Sequence, residues 1–114
     1  MAFNNGAALM DALVLSTAAK EPTYGYRITQ DVRRIMTVSE STLYPVLRRL
    51  QKEGYLETYD QAFAGRNRRY YRLTEAGARA LEQYRAEWIE YKKQIDSMLL
   101  EGEEQCRNRN FCSG

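Results

Sequence analysis

The sequence predicts a mainly α, α+β fold in which three helices precede a β-hairpin and one long helix follows it. Three observations predict this class. Apolar residues recur at helical spacing before Gly54, and two aromatic-rich segments after it alternate in the manner of strands. A heptad pattern then runs onward from Thr74. With 114 residues, the chain has room for one core and an appended helix.

The first two helices are predicted on either side of Pro22. Residues 7–20 are apolar on nearly all sides, and one small domain would hardly surround such a helix, so a second subunit is expected to help cover it. Residues 24–36 form the second predicted helix, with Thr23 as its N-cap. Its buried stripe is predicted at Ile28, Val32 and Ile35. Gly25 lacks a side chain and lets another backbone or a phosphate come close.

The third predicted helix begins near Ser39 and ends at Gly54, a residue typical of a left-handed C-cap. Its core stripe is Leu43, Val46, Leu47 and Leu50. The other face carries hydroxyls, an aromatic ring and cations, at Ser41, Thr42, Tyr44, Pro45, Arg48, Arg49 and Lys52. Such groups suit phosphate oxygens and base edges in a major groove, although a basic helix surface can also simply be solvated. With Ser41 as the N-cap, Pro45 would remove only the first intrahelical bond.

A β-hairpin is predicted from strands at residues 55–59 and 69–73, with Gly65 and Asn67 as turn formers in a long basic tip. The arginines of this hairpin are Arg66, Arg68, Arg69 and Arg72. No acid lies within residues 61–73, which favours a DNA contact over a purely solubilising role. A helix, a short turn, a second helix and a basic hairpin follow one another as in a winged helix-turn-helix domain, predicted here over residues 1–74.

The long helix is predicted over residues 75–100, with Thr74 as its N-cap. Its apolar seam is Leu81, Tyr84, Trp88, Tyr91, Ile95 and Met98. Such a seam packs along another helix. That partner could belong to the same chain, but a symmetric dimer is the simpler arrangement, so we expect a C-terminal dimerisation helix. Residues 101–114 are expected to form a flexible tail. Its two cysteines, Cys106 and Cys112, match no common zinc pattern and are expected to be free thiols.

The distribution of charge limits the class of function. Residues 1–74 carry eleven Lys/Arg against seven Asp/Glu, whereas residues 75–104 carry four against eight. A basic N-terminal part and an acidic C-terminal part suit a protein that binds a polyanion with one face. No segment approaches the roughly 20 apolar residues of a membrane span, and a cytoplasmic location is expected. The chain has no histidine and no nucleophile or phosphate-loop motif, so neither an enzyme nor a cofactor is expected.

Three blocks resemble the signatures of PadR-family transcriptional regulators: TYGYRITQ at residues 23–30, SESTLYPVLRRLQKEGYL at 39–56 and RNRRYYRLTEAG at 66–77. The single helix after the wing resembles the compact branch of that family. The resemblance implies a homodimer that binds a palindromic operator in double-stranded DNA, usually a repressor released by a small effector. The implied DNA contacts are Tyr24, Tyr26, Ser41, Thr42, Tyr44, Pro45, Arg48 and the wing arginines. Ser41 departs from the glycine or alanine of many members.

Trp88 is the one tryptophan of the chain, and two interpretations of it stay open. In multidrug-responsive members of the family, a tryptophan at the matching place stacks on flat aromatic ligands between subunits. The resemblance thus implies an effector site, with candidate residues Trp88, Tyr84, Tyr91, Ala8, Met10 and Asp11. Heptad placement is equally compatible with a Trp88 that only fills a packed seam. The alternative function is a dimeric helical interaction module without an effector response.

Overall fold

The computed structural model describes residues 6–100, and this part of the chain holds four helices and a three-stranded antiparallel sheet. The elements in chain order are α1 (Gly6–Lys20), β1 (Thr23–Tyr24), α2 (Gly25–Arg33), α3 (Glu40–Lys52), β2 (Leu56–Phe63), β3 (Arg66–Leu73) and α4 (Glu75–Leu99). The predicted α+β class, with a hairpin wing after a helix-turn-helix, is confirmed. No helix in the described range is long and apolar enough to cross a membrane. The predicted tail, with Cys106 and Cys112, lies outside the described residues.

The core lies where α1, α2 and α3 meet the sheet. Its fully buried aliphatic side chains are Val14, Leu15, Ile28, Val32, Leu43, Leu47, Leu50 and Leu56. Burying each such side chain contributes roughly 1.5–3 kcal/mol, so the leucine stripe alone fixes which face of α3 points outward. Val46, predicted to share that stripe, is only half buried.

The second helix is shorter at both ends than predicted. Thr23 is not its N-cap, because Thr23 and Tyr24 form β1 and pair with β3. The helix also ends at Arg33, about a turn early. Ile35 therefore leaves the helical phase and is 69% exposed, so its predicted burial is wrong.

The third helix is capped by Ser39, whose hydroxyl oxygen accepts a hydrogen bond from the Thr42 N–H. Ser41 is therefore not the N-cap. Pro45 lies well inside the helix and leaves the Ser41 carbonyl without its usual donor four residues on.

The end of α3 and the start of α4 are bonded to each other. Gly54 has a φ of 85°, and the Tyr55 N–H bonds to the Leu50 carbonyl at 3.0 Å, which confirms the left-handed C-cap. Thr74 caps α4 as predicted, accepting from the Gly77 N–H at 2.9 Å. The same hydroxyl donates to the Gly54 carbonyl at 2.6 Å. One threonine therefore fixes where the long helix leaves the winged-helix core.

The hairpin has longer strands and a tighter turn than predicted. Its turn is Ala64–Gly65, both with positive φ (52° and 81°), and Phe63 pairs with Arg66. Two consecutive positive φ values match the twist of a two-residue hairpin turn. Asn67 is not a turn former, since it pairs with Ala62 in the ladder. The prediction of a long basic tip is thus wrong, and the wing arginines lie along β3.

The fully buried residues of α4 lie in its first half. Gly77 and Leu81 are its buried residues, and Leu81 belongs to the core of its own chain. Farther along, Ile89 is 56% exposed and Met98 is 80% exposed. The molecule is accordingly elongated, 64 Å along its longest axis.

Candidate nucleic-acid interface

The outward face of α3 and the wing enclose one cleft. The predicted outward residues Ser41, Thr42, Tyr44, Pro45, Arg48, Arg49 and Lys52 are all exposed. The cleft has a volume of about 400 Å³ and is lined by Tyr24, Gly25, Tyr26, Tyr44, Arg48, Gln51, Arg68, Arg69 and Tyr71. The fold therefore brings the start of α2, the middle of α3 and the base of the wing to one place.

Three hydroxyl groups cluster at the start of α3. The Ser39 Oγ lies 3.0 Å from the Ser41 Oγ and 3.1 Å from the Thr42 Oγ1. The N-terminus of a helix carries a partial positive charge and unpaired N–H groups, which favour an anion. This end of α3 is therefore chemically suited to a DNA phosphate.

Tyr44 is engaged within the chain as well as facing the cleft. Its hydroxyl donates to the Glu40 carboxylate at 2.8 Å, and this bond, with partial burial, raises the pKa of Tyr44 above its ordinary value of 10.0. Its ring lies against Gly25, where an added Cβ would be 2.6 Å from the ring carbon Cε1. The close approach expected at Gly25 is thus made by an aromatic ring.

The two neighbouring arginines of α3 differ. Arg48 lines the cleft and makes no ion pair within residues 6–100. Arg49 forms an ion pair with Asp11 of α1 and a second one, at 3.3 Å, with Glu53. The hydrogen bond that Arg49 donates to the Asp11 carboxylate raises the pKa of the guanidinium above its ordinary value, so this residue stays charged. Sequence reasoning missed the pair with Asp11 because Asp11 is 38 positions away along the chain.

The wing arginines are also largely engaged. Arg68 lies between two rings, with its guanidinium carbon 4.0 Å from the Tyr24 centroid and 3.9 Å from the Phe63 centroid. Arg69 lies 3.5 Å from Asp60, and Arg72 donates to Glu57 at 2.8 Å. Both acids lie on β2, just before residues 61–73, which carry no acid. In the β2–β3 ladder they pair directly with the two arginines. Arg66 has no ion pair in the described part of the chain.

The candidate effector residues fall into two groups. Trp88 and Tyr84 line an apolar groove of about 360 Å³ between α1 and α4, together with Leu9, Ala12, Leu13, Ser16, Ile35, Leu81 and Arg85. The structure does not place Ala8, Met10, Asp11 or Tyr91 on this groove. Tyr91 contacts Trp88, with ring centroids 6.3 Å apart. The evenly apolar α1 sequence gave no phase from which to choose the groove-lining face.

Comparisons with known proteins identify the family and agree with the fold. The family model described as "Transcriptional regulator PadR-like family" matches residues 14–83. Transcriptional regulator Rv3488 of Mycobacterium tuberculosis is 37% identical over 83 residues, which cover 72% of this chain and 78% of that protein. The crystal structure of smu.1704 from Streptococcus mutans UA159 is 42% identical, with a TM-score of 0.80, and the match covers 87% of this chain and 93% of that one. A PadR family transcription regulator from Clostridium difficile R20291 is 32% identical, with a TM-score of 0.74 and coverages of 79% and 97%.

Proposed function

This chain belongs to the PadR-like family of transcriptional regulators, and on that premise we propose that it is a homodimeric repressor that reads an operator with α3. Members of the family are transcriptional regulators and not enzymes, so the prediction that the chain is not an enzyme is confirmed. The observation that carries the proposal is the shared cleft of α3 and the wing.

In this proposal α3 enters the major groove of B-DNA, which at about 12 Å width admits one helix. Arg48 is exposed and lacks an ion pair in the described range, so its fork is available to a guanine O6 and N7. Arg68, its planar group stacked on two rings, is preoriented toward the duplex. The hydroxyl groups at the start of α3 bind phosphate and set the register.

The apolar surface of α1 and α4 supports the homodimer. Ile89 and Met98 are largely exposed in one chain, and so is much of the apolar groove between these helices. A second copy related by a twofold axis would cover both surfaces with the same residues. Two α3 helices would then meet half-sites about 34 Å apart, which a palindromic operator provides.

The α1/α4 groove supports an effector site. Its lining is almost wholly apolar and includes Trp88 and Tyr84, whose rings stack well on flat aromatic molecules. In this proposal the effector binds there and releases the operator. Quenching of Trp88 fluorescence by planar aromatic compounds tests the site. No response across a varied panel would favour the packed seam.

The proposed operator contact is tested with a duplex selected from random DNA by the wild-type protein. We expect Arg48→Ala to weaken binding to this duplex by about 10- to 100-fold, because one bidentate base contact contributes roughly 1–3 kcal/mol of discrimination. Affinity is measured by gel shift at fixed salt. The matched control is Lys93→Ala, which removes an equal charge from exposed α4. Equal losses in both variants would show that α3 does not read the sequence.

A further inference from the structure

Asp11 is a buried carboxylate that joins three helices. It lies on α1 and is 7% exposed. A buried carboxylate is destabilising unless it is paired and hydrogen-bonded. Within residues 6–100 it accepts hydrogen bonds from the Arg49 guanidinium of α3 and from the Tyr84 hydroxyl of α4, the latter at 3.4 Å. Because these partners lie 38 and 73 positions away in the chain, the contacts fix the mutual placement of α1, α3 and α4.

Arg49 is poorly suited to bind DNA itself, despite its place beside Arg48. One guanidinium nitrogen bonds to Asp11 and the other to Glu53. Two carboxylates therefore offset the charge of Arg49, which weakens its attraction for a DNA phosphate. Charge-assisted bonds of a guanidinium are directional, so this pair transmits a rotation of α1 to α3 more faithfully than apolar packing does.

Tyr84 connects this ion pair to the apolar groove. Its ring lines the groove, while its hydroxyl reaches Asp11. Burial, and then the nearby Asp11 carboxylate, raise the pKa of Tyr84, so the hydroxyl remains a donor at neutral pH. A molecule that displaces the ring in the groove would therefore also disturb the carboxylate that holds Arg49.

We propose that Arg49 is a positioning residue and that Asp11 and Tyr84, through it, set the angle of the recognition helix α3 relative to α1 and α4. This inference rests on the proposed operator binding. The sequence predicts that Arg49 contacts DNA and that Asp11 contacts an effector. The proposal instead gives both residues a role in positioning α3. It also supplies the route by which a change in the groove reaches the DNA-binding face.

The test is a double-mutant cycle. The affinity of each variant is measured for the selected operator and for an unrelated duplex, over a range of salt concentrations. We expect Arg49→Ala and Asp11→Asn each to lower the ratio of specific to non-specific affinity by about tenfold, and the double variant to lower it no further, since the two residues act as one unit. The salt slope of Arg49→Ala should equal that of the wild type. Using the ratio removes the general effect of each charge change. Arg48→Ala is the control that should lower the ratio independently of Asp11→Asn.

Two results would overturn the proposal. A salt slope lowered by about one in Arg49→Ala would show a direct phosphate contact, and an unchanged or higher ratio in Asp11→Asn would show that the pair does not position α3.

Tyr84→Phe keeps the ring in the groove and removes only the hydroxyl. We expect it to lower the ratio by about threefold, as for one weak hydrogen bond, and no change would exclude the link to α4. If Asp11→Asn does not fold, the slope of Arg49→Ala and the ratio of Tyr84→Phe still decide. Failure of the wild type to select any sequence would overturn the proposed function itself.

Discussion

Gly77, in the first turn of α4, is where the long helix comes closest to the winged-helix core. An added Cβ there would lie 2.1 Å from the Tyr55 carbonyl oxygen and 2.8 Å from the Leu73 Cδ1. The carbonyl cannot move away easily, because it accepts a hydrogen bond from the Thr74 N–H at 3.1 Å. The absence of a side chain at residue 77 therefore allows α4 to start against the backbone of the turn between α3 and β2.

We expect Gly77→Ala to lower the free energy of unfolding by about 2 kcal/mol. Two effects oppose each other. Alanine favours a helix over glycine by up to about 1 kcal/mol, while a clash with fixed backbone costs about 1–3 kcal/mol or more. Urea denaturation measures the net effect. The control is Ala78→Gly at the exposed neighbour, which should cost only the helix propensity. A Gly77→Ala protein as stable as the wild type would mean that α4 can shift outward without loss.

The wing is an element whose positive charge is partly neutralised from within. Residues Asp60 and Glu57 of β2 lie directly opposite Arg69 and Arg72 of β3 in the ladder. Both pairs are solvent-exposed, and such pairs contribute only about 0–1 kcal/mol to stability. Their larger effect is on binding, because an arginine that holds a carboxylate has less charge to offer a phosphate.

We expect Asp60→Asn to tighten non-specific DNA binding by about two- to fivefold at low salt, since it releases Arg69 from a surface pair worth up to about 1 kcal/mol. Fluorescence anisotropy with an unrelated duplex measures the change. The matched control is Glu82→Gln, which removes one acid from an ion pair with Arg85 on α4. A gain of equal size in both variants would show that only net charge matters and that the wing is not at the interface.

The accuracy of the sequence predictions differs between elements for physical reasons. The leucine stripe of α3 and the cap at Thr74 depend on local periodicity and capping, and both were predicted. The start of α2 and the length of the hairpin depend on pairing with β3, which short-range patterns do not reveal. The outward face of α3 was predictable for the same reason as its core stripe. The pairing of Arg49 with Asp11 and of Arg69 with Asp60 was not, because the tertiary fold places these two acids.

At the scale of the whole molecule, the outer half of α4 presents an exposed apolar surface. It carries large apolar side chains, Ile89, Met98 and Leu99 among them, that the described part of the chain leaves exposed. In the proposed dimer this half supplies most of the contact between subunits. The folding of the winged-helix core and the association of two chains would then be separable properties.

We expect Met98→Glu to weaken self-association by at least about tenfold, because desolvating a charge within an apolar seam costs more than about 1.4 kcal/mol. Analytical ultracentrifugation over a concentration series measures the shift. Met98 is 80% exposed in one chain, so the core should keep its thermal unfolding midpoint at low concentration. Ser97→Glu adds the same charge one position away from the seam. If it dissociates the protein equally, the seam does not run through Met98.

The contact between Gly25 and the Tyr44 ring makes these two positions depend on each other during divergence. A larger residue at 25 would enter space that the ring occupies, so it becomes acceptable only after residue 44 has become smaller or has turned away. The order of the two substitutions therefore matters, and the pair should show epistasis. Relatives that replace Gly25 are therefore expected to differ at Tyr44 as well. Such a joint change would indicate that α2 packs on α3 in a different way.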